Sequence, residues 1–323
     1  MVKPGKILIT GAAGFVGVAL CRRLHDQGFA LRVLLRRGGS LLPEDLAKVL
    51  DDVVMVDDLA GPLPWPALLD GVESIVHLAA RAHGTARAGC SSDHYFDDNL
   101  DAAVALGRAA VKAKVSRFIF LSTIKVNGEG AWDADHPSYK ASDKPRPQGS
   151  YAVSKWRAEQ ELQRLCELAE GPNLIIIRPP LVYGPGVKGN FAALLRWLNW
   201  GLPVPVARLA NRRSLLYLDN LVSLIEYCLL RADVSGRVLL PADPDDWSLA
   251  GLVGFLAGGL GCRARILQVP DLWLRWGAKM FRREDYFIKI FGSLRVDSRA
   301  LDELDWCPPV VKDDLLRDCT RWL

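Results

Sequence analysis

The chain has 323 residues, of which 50% are apolar and 24% charged, the composition of an ordinary globular protein. Its 41 basic and 37 acidic residues give a net charge of +4, and this balance argues against nucleic acid as a partner. The 7 cysteines form no C-x-x-C pair or Cys/His cluster, so the sequence indicates neither a disulfide framework nor a metal site. Reduced thiols and an N-terminal apolar run too short for a signal peptide predict a cytoplasmic protein.

Six short apolar segments predict β-strands. They are KILIT at 6–10, ALRVLL at 30–35, VVMV at 53–56, SIVHLA at 74–79, RFIFLS at 117–122 and NLIIIR at 173–178. These segments are apolar throughout rather than alternating, as expected for strands buried on both faces of a parallel sheet. Helical patterns occur between strands at 16–27, 93–113 and 151–170. The alternation predicts an α/β fold, a Rossmann-type doubly wound parallel sheet with right-handed crossovers.

Three glycines, Gly11, Gly14 and Gly17, lie between the first strand and the first helix. The first allows a tight turn, the second lets backbone N–H groups approach a pyrophosphate, and the third lets the helix pack closely on the sheet. Phe15 and Val16 complete the motif at the helix N-terminus, where unpaired N–H groups and the helix dipole favour phosphate. This order predicts a dinucleotide-binding turn, and a tight turn without a ligand is the alternative.

The second strand leads into LLRRGG, with Arg36 and Arg37 where many NAD-binding proteins carry an acidic residue. A carboxylate there would repel a 2′-phosphate, whereas guanidinium groups can pair with it in a bidentate manner. We therefore predict that the cofactor is NADP in preference to NAD. The alternative is that both arginines are solvated side chains at a strand end.

The character of the sequence changes after residue 178, where RPPLVYGPGVKGN is rich in Pro and Gly. We predict a dinucleotide-binding domain at 1–179 and a smaller substrate-binding region at 180–323, partly interleaved with late strands of the sheet. The apolar segment from Trp247 is shorter than the ~20 residues of a membrane-spanning helix and predicts a buried helix. The segment PDLWLRWGAKMFRR, from Pro270, could lie on a membrane surface. A helix that covers the substrate-binding region is the interpretation we favour.

Tyr151 and Lys155 lie four residues apart in GSYAVSKWRAEQEL, at the start of a predicted amphipathic helix. Residues at this spacing share a helical face, so the ammonium lies beside the phenol. A free phenol is almost wholly protonated at neutral pH, and a nearby cation favours the phenolate and lowers its pKa. A single pair of this kind can arise by chance, so it indicates a catalytic acid/base only together with other motifs.

Further motifs occur in a fixed order over roughly two-thirds of the chain. They are TGAAGFVG at 10–17, DDL at 57–59, HLAA at 77–80, Asn99 in FDDNLDAA, FLSTIKVNG at 120–128, YAVSK at 151–155, RPPLVYGPG at 178–186 and RRSLLYLDNLV at 212–222. In these residues the sequence resembles the extended short-chain dehydrogenase/reductases of the NAD-dependent epimerase/dehydratase family, which act on nucleotide sugars. The resemblance implies a homodimeric enzyme that uses NAD or NADP.

The same resemblance implies a catalytic triad of Thr123, Tyr151 and Lys155. Tyr151 would exchange a proton with a sugar hydroxyl or carbonyl, Thr123 would hydrogen-bond that oxygen, and Lys155 would bind the nicotinamide ribose. Implied cofactor contacts are Asp58 and Leu59 at the adenine end, Leu78, Ala79 and Ala80 along the pyrophosphate, and Asn99 in support of the active-site strand. For Ala79 and Asn99, simple packing is the alternative.

The residues after Thr123 narrow the implied reaction. Sugar-nucleotide 4,6-dehydratases of this family have an Asp-Glu pair there, whereas this chain has Ile124 and Lys125. Without those carboxylates we do not expect a dehydratase. Asn127 replaces the Tyr that is usual in the best-known hexose epimerases of the family.

The implied substrate is a UDP-sugar. Arg213 corresponds to a position that binds the substrate diphosphate in relatives, and Asn190 to a common substrate contact. The stretches STIKVNGE and RPPLVYGPGVKGNF most resemble UDP-4-keto-6-deoxy-N-acetylhexosamine 4-reductases of polysaccharide biosynthesis, and Arg36 agrees with an NADPH-consuming enzyme. The alternative is a UDP-hexose 4-epimerase with tightly bound NAD. A non-catalytic, cofactor-sensing protein is less favoured, because such proteins typically lose the Tyr-Lys pair.

Overall fold

A seven-stranded parallel sheet is the centre of the computed structural model, which describes residues 5–50, 52–80, 96–132, 137–168, 171–207, 211–280, 287–288 and 291–311. Its strands are β1 (Lys6–Thr10), β2 (Leu31–Arg36), β3 (Asp52–Val56), β4 (Val72–His77), β5 (Arg117–Leu121), β6 (Asn173–Ile177) and β10 (Val238–Leu239). The order is β10-β6-β5-β4-β1-β2-β3, with every neighbouring pair parallel. The predicted fold class is confirmed, and each predicted strand begins and ends within two residues of an observed strand.

Helices cover both faces of this sheet. They are α1 (Phe15–Asp26), α2 (Glu44–Val49), α3 (Trp65–Leu68), a π-helical turn (Phe96–Asp101) that leads into α4 (Ala102–Lys112), α5 (Gly149–Leu168) and, later in the chain, α7 (Leu218–Leu230). Ile7 and Ile9 share a core with α1 and α7, whereas Leu8 packs on the other face with α4 and α5, because successive strand residues point to opposite faces.

The three predicted helices are all observed, with shifted ends. The pattern at 16–27 corresponds to α1, and the pattern at 151–170 corresponds to α5. The pattern at 93–113 is a π-helical turn followed by α4, and its residues 93–95 lie outside the described residues, as do residues 169–170.

The chain after β6 builds a second, smaller core. Here β7 (Leu181–Tyr183) pairs in parallel with β9 (Leu215–Tyr217), and β8 (Val204–Ala207) pairs in parallel with β11 (Ile266–Val269). Two helices, α6 (Gly189–Asn199) and α8 (Leu249–Gly259), pack with these strands around a core that includes Tyr183, Phe191, Leu195, Trp247 and Leu256. The predicted apolar helix after Trp247 is α8, which has a buried face. Because α7 and β10 return to the main sheet, the two parts interleave, and the boundary at 179/180 stays a prediction.

The segment from Pro270 forms the helix α9 (Asp271–Met280), and its predicted role as a cover of the substrate-binding region stays a prediction. Four of its large apolar side chains are exposed: Leu272, Trp273, Trp276 and Met280. None of the described helices has the length and apolar character needed to cross a bilayer.

Candidate active site

The carboxyl edge of the main sheet brings several predicted site residues together. Because the strands are parallel, the segments that follow them leave the sheet at the same edge. Gly11 follows β1, Arg36 ends β2, Leu78 follows β4, and Thr123 lies two residues after β5. The strand order reverses between β1 and β4, which creates the crevice where open α/β sheets bind ligands.

The turn between β1 and α1 lies very close to the end of β4. Gly11 has a φ of +74°, and a Cβ atom there would lie 2.6 Å from the Ala79 nitrogen and 2.8 Å from the Leu78 carbonyl carbon. A Cβ atom on Gly17 would lie 2.7 Å from the Cα atom of Ala12. All three separations are too short for a side chain, so only glycine permits this close approach. The result is a backbone cradle of the kind that binds a pyrophosphate.

The N-terminus of α1 opens from this cradle. Gly14 is the N-cap residue, and its amide donates to the Gly11 carbonyl at 2.9 Å. Gly14 is exposed, Phe15 and Val16 are half-buried, and the first turn contains no acidic residue, so the helix dipole favours an anion there. These residues fit a dinucleotide whose pyrophosphate they would hold, and whose nicotinamide would supply the hydride acceptor or donor.

The pyrophosphate side of the predicted site is held by backbone hydrogen bonds. The Leu78 amide donates to the Thr10 carbonyl at 3.2 Å, and the Ala79 amide donates to the Thr10 hydroxyl at 3.4 Å. Ala80 is exposed. These bonds fix the end of β4 beside the glycine turn, so Ala79 takes part in packing as well as facing the predicted site.

The predicted adenine end of the site is exposed and carries charges of both signs. Arg36 ends β2, and the neighbouring Arg37 forms an ion pair with Asp57 at 3.0 Å. Asp58 accepts a hydrogen bond at 3.1 Å from the backbone amide two residues later, and Leu59 is half-buried against the core. Since β2 and β3 are neighbours, a guanidinium and a carboxylate both lie at this corner of the sheet.

Lys155 is almost completely buried, at 1% relative exposure. Its Nζ donates to the Leu121 carbonyl at 2.8 Å and lies 4.5 Å from the centre of the Phe120 ring. Burial disfavours the ammonium and lowers the pKa of Lys155 to about 7, while the charge of Glu159 acts in the opposite direction. Both charge states of the amine are therefore accessible near neutral pH, as proton exchange requires.

Tyr151 lies in the first turn of α5, one turn before Lys155, and is half-buried. The buried amide of Asn99 donates to the Ser154 hydroxyl at 3.1 Å, and this hydroxyl donates to the Tyr151 carbonyl at 2.9 Å. The sequence prediction places Asn99 in support of the active-site strand, whereas this contact is with α5. The difference arises because Ser154 presents its hydroxyl on the buried face of the helix. Asn99 thus orients the turn that carries Tyr151.

Thr123 caps the 3₁₀ helix Ile124–Val126, which follows β5. Its Oγ1 accepts a hydrogen bond from the Lys125 amide at 3.3 Å, and the residue is 8% exposed. Because the hydroxyl acts as an acceptor in the cap, its own proton is available for a ligand oxygen. The cap therefore holds an O–H donor at the carboxyl edge of the sheet.

A buried ion pair beside Lys155 was missed by the sequence interpretation. Arg178 and Glu159 are 5% and 1% exposed, and the Arg178 Nε donates to the two carboxylate oxygens at 3.0 and 3.2 Å. Ser122 also donates to Glu159, and Arg178 donates to the Asn127 Oδ1 at 3.0 Å. The network joins α5 to the ends of β5 and β6, so it holds the helix that carries Lys155.

One signal in the sequence points toward this network. Glu159 follows Lys155 at the same four-residue spacing that separates Lys155 from Tyr151, so all three share a helical face. A carboxylate on a buried helical face needs a cationic partner. Asn127 is 2% exposed and donates to the Lys140 carbonyl at 2.9 Å. Through its bonds to Lys140 and Arg178, Asn127 holds the loop after β5 against the ion pair.

His77 is a second residue whose surroundings the sequence did not reveal. It is fully buried at the end of β4, with its Nδ1 at 2.8 Å from the Thr10 Oγ1 and its ring stacked on Phe120 at 5.8 Å. Burial lowers the pKa of His77 to about 3, and the charge of Lys155 acts in the same direction. The neutral ring therefore adds no competing charge next to Lys155.

Arg213 and Asn190, the predicted substrate residues beyond Thr123, lie in different segments: Arg213 precedes β9, and Asn190 lies in α6. Burial lowers the pKa of Arg213 to about 10, and Glu129 opposes this shift, so the guanidinium stays charged at neutral pH. Glu129 also pairs with Lys125 at 3.3 Å, which links Arg213 electrostatically to the loop that begins at Thr123. Asn190 is an exposed residue in the first turn of α6.

A family comparison identifies the kind of protein to which this site belongs. Residues 7–239, more than half of the chain, match the model of the NAD dependent epimerase/dehydratase family. The chain belongs to this family. The resemblance that the sequence motifs showed is therefore confirmed. The expectation that the protein is an enzyme is confirmed as well.

Individual relatives agree with this assignment. A UDP-glucose 4-epimerase from Vibrio cholerae is 34% identical over 95% of this chain and 92% of the relative. An Escherichia coli O157:H7 protein, N-acetyl-alpha-D-glucosaminyl-diphospho-ditrans,octacis-undecaprenol 4-epimerase, is 26% identical over 82% of this chain and 75% of the relative. The crystal structure of Thermus thermophilus UDP-glucose 4-epimerase with NAD has a TM-score of 0.76, 18% identity and 98% coverage of both chains. At that identity it shows the shared fold alone.

Proposed function

We propose that this epimerase/dehydratase family member is an NADPH-dependent reductase acting at carbon 4 of a UDP-4-keto-6-deoxy-N-acetylhexosamine in polysaccharide biosynthesis. The observation that carries the proposal is the arrangement of Thr123, Tyr151 and Lys155. Thr123 follows β5, and Lys155 is bonded to the last residue of β5, at the same sheet edge as the glycine turn that fits a dinucleotide. An O–H donor, a phenol and an amine at such an edge are suited to reduction of a carbonyl group.

Each residue of the triad has its own part in the proposed reduction. Thr123 donates a hydrogen bond to the carbonyl oxygen at carbon 4 and polarises it. Tyr151 gives its phenolic proton to the same oxygen as the carbonyl becomes an alcohol. Lys155 stabilises the phenolate that is left, because a nearby cation favours the charged form. NADPH, when bound, supplies a hydride to carbon 4.

The residues after Thr123 support a reaction without loss of water. Ile124 is 3% exposed, and Lys125 is occupied in the ion pair with Glu129. Neither position supplies the acid and the base that elimination of water would need. The proposed reduction at carbon 4 needs the proton donor that Tyr151 provides and no carboxylate.

The proposed ligand class is a UDP-sugar, bound through its diphosphate by Arg213. A planar guanidinium suits a diphosphate, and burial strengthens its attraction for the anion. Asn190 is proposed as a further contact from the first turn of α6. The Vibrio cholerae relative is named for UDP-glucose and the Escherichia coli relative for a diphospho-sugar on undecaprenol, and the diphospho-sugar common to both supports this class.

A UDP-hexose 4-epimerase with tightly bound NAD is the second candidate. It is favoured by the 34% identity with the Vibrio cholerae UDP-glucose 4-epimerase, which extends over 95% of this chain. An epimerase would use the same triad in both directions and leave the cofactor unchanged overall. A non-catalytic, cofactor-sensing protein has less support, because Tyr151 and Lys155 are both present.

Two assays separate the reductase from the epimerase. In the first, the protein is incubated with UDP-N-acetylglucosamine or UDP-glucose and catalytic NAD; in the second, it receives the UDP-4-keto-6-deoxy sugar and NADPH. We expect stoichiometric NADPH oxidation in the second assay and no isomer in the first. Isomer formation without net cofactor change would overturn the reductase proposal and establish the epimerase. Dinucleotide binding without either reaction would support a sensor.

Replacing Arg36 by Asp is expected to weaken NADPH binding far more than NADH binding. The guanidinium can pair with the 2′-phosphate, and a carboxylate at the same place repels it. We expect the Kd for NADPH to rise at least about tenfold, a change of about 1.4 kcal/mol, while the Kd for NADH changes little. Fluorescence titration measures both constants. The control Arg108→Asp, an exposed residue of α4, should alter neither, and equal losses for both cofactors in Arg36→Asp would contradict the NADP preference.

We further propose that the protein is a homodimer located in the cytoplasm. Within each chain, we propose a dinucleotide-binding domain at 1–179 and a substrate-binding region at 180–323. The scattered cysteines support a reducing compartment. Light scattering on the purified protein tests the oligomeric state, and a mass near that of one 35.6 kDa chain would contradict the dimer.

A further inference from the structure

The exposed apolar residues of the described chain are concentrated in two segments. Of fourteen exposed large apolar side chains among the described residues, nine lie within 197–202 and 266–280. They form the apolar patch: Trp197, Trp200, Leu202, Ile266, Leu267, Leu272, Trp273, Trp276 and Met280. Large apolar patches are uncommon on soluble monomers and mark interaction sites. We infer that the apolar patch docks this protein on the anionic surface of a lipid bilayer.

Within α9 the exposed large apolar residues form a single stripe. Leu272, Trp273, Trp276 and Met280 fall within a sector of about 100° around the helix axis, the width of one apolar face. Their exposure lies between 58% and 75%. Lys279 borders the stripe, and the acidic first residue of α9 lies on the opposite side. A helix with this pattern is suited to lie in the plane of a membrane interface.

The other exposed apolar residues lie on segments that are connected to α9. Ile266 and Leu267 are exposed on β11, and only Pro270 separates β11 from α9. The partner strand of β11 is β8, which follows α6 after a short turn. The indole N–H of Trp197 donates at 3.1 Å to the carbonyl that precedes β8, and Trp200 lies in the same turn. The nine residues therefore belong to one connected unit of α6, β8, β11 and α9.

The excess of basic over acidic residues in the chain comes from the segments that carry the apolar patch. Segments 188–207 and 261–280 contain six basic residues and one acidic residue. The whole chain has 41 basic and 37 acidic residues, so 35 basic and 36 acidic residues remain elsewhere. Arg196, Arg263, Arg265 and Lys279 are exposed. Basic side chains beside an apolar stripe bind anionic lipid headgroups while their alkyl stems stay on the apolar surface.

The same charge argues against a second copy of the chain as the partner. A two-fold contact through the apolar patch would bring two surfaces of like charge together, which is unfavourable. The exposed tryptophans favour a bilayer. Four lie in the patch, and Trp is enriched at membrane–water interfaces because it combines an apolar ring with an N–H donor.

Vesicle sedimentation of the full chain tests the inference. Vesicles of phosphatidylcholine alone are compared with vesicles that contain about one third phosphatidylglycerol, at low and high salt. We expect the wild type to sediment with the anionic vesicles, and added salt to weaken this binding. The double variant Trp273→Ala/Trp276→Ala should lose at least about tenfold in affinity, since it removes two interfacial anchors. Arg263→Glu/Arg265→Glu should lose the preference for anionic lipid.

Matched controls keep this test independent of folding and of catalysis. Leu41→Ala removes an equally exposed apolar side chain outside the patch and should bind vesicles like the wild type. All variants should keep the thermal unfolding temperature and the solution turnover of the wild type, because the patch shares no residue with the triad. The inference is overturned if the wild type does not bind anionic vesicles, or if the tryptophan variant binds them equally well. It is also overturned if the tryptophans instead support a concentration-dependent dimer without lipid binding.

Discussion

Replacing Tyr151 by Phe is expected to lower turnover by at least about two orders of magnitude while leaving cofactor affinity close to that of the wild type. The substitution keeps the aromatic ring and removes only the hydroxyl, so the proposed proton donor for the sugar oxygen is lost. The groups that fit the dinucleotide are the backbone at Gly11, the N-cap Gly14 and the N-terminus of α1. They remain intact in this variant, so binding and turnover should separate.

The loss should be large because the neighbouring groups are poor substitutes for the phenol. The hydroxyl of Thr123 can hydrogen-bond the sugar oxygen, but an aliphatic alcohol is a much weaker acid than a phenol. Lys155 has a pKa of about 7, yet its Nζ donates to the Leu121 carbonyl and lies one helical turn farther along α5. The amine is thus placed to support the phenolate and not to replace it.

Steady-state kinetics on the substrate found by the two assays, with a parallel dinucleotide titration, measure this prediction. Tyr227→Phe on α7 is the control, because its hydroxyl bonds to Asp233 and the amide of residue 305, away from the triad. Turnover like that of the wild type in Tyr151→Phe would remove Tyr151 from the mechanism. If dinucleotide binding is lost together with turnover, Tyr151 has a structural role instead.

The main sheet was predictable because each of its signals is local. The segment at 6–10 has three consecutive apolar residues at its centre, which predicts a strand buried on both faces, and β1 has those bounds. The three glycines then stand between a strand and a helix, where steric exclusion of a Cβ atom leaves little freedom. Parallel strands place their carboxyl ends at one edge, and this rule alone brings Gly11 and Thr123 to the same side of the sheet.

The remaining features depend on contacts between distant segments, which a local pattern does not contain. Glu159 and Arg178 meet only because α5 packs on the sheet in one orientation and β6 has one register beside β5. His77 is neutral because of its burial and its neighbour Lys155, and the motif HLAA carries no sign of either. The mixture of Trp, Leu and basic residues from Pro270 was visible in the sequence, but which of these side chains are exposed depends on how the folded chain packs.

Replacing Arg178 by Met is the second prediction with a large effect, and we expect it to destabilise the protein by about 3–5 kcal/mol. Met retains much of the side-chain volume, so the main loss is the cation that compensates the buried carboxylate of Glu159. Ser122 remains as a donor to that carboxylate, but one neutral hydroxyl does not replace a guanidinium. Urea unfolding followed by tryptophan fluorescence measures the free energy of unfolding.

The double variant Arg178→Met/Glu159→Gln separates the ion pair from simple loss of packing. The amide introduced at 159 carries no charge and can still accept from Ser122, so no uncompensated charge is buried. We therefore expect the double variant to be more stable than Arg178→Met alone by at least about 1 kcal/mol. The single variant Glu159→Gln completes the comparison. If the effects of Arg178→Met and Glu159→Gln on the free energy of unfolding simply add in the double variant, the two side chains act independently and the ion pair does not hold α5.

Because Glu159 also raises the pKa of Lys155, replacing Glu159 should leave less ammonium at neutral pH and lower turnover even where stability is recovered.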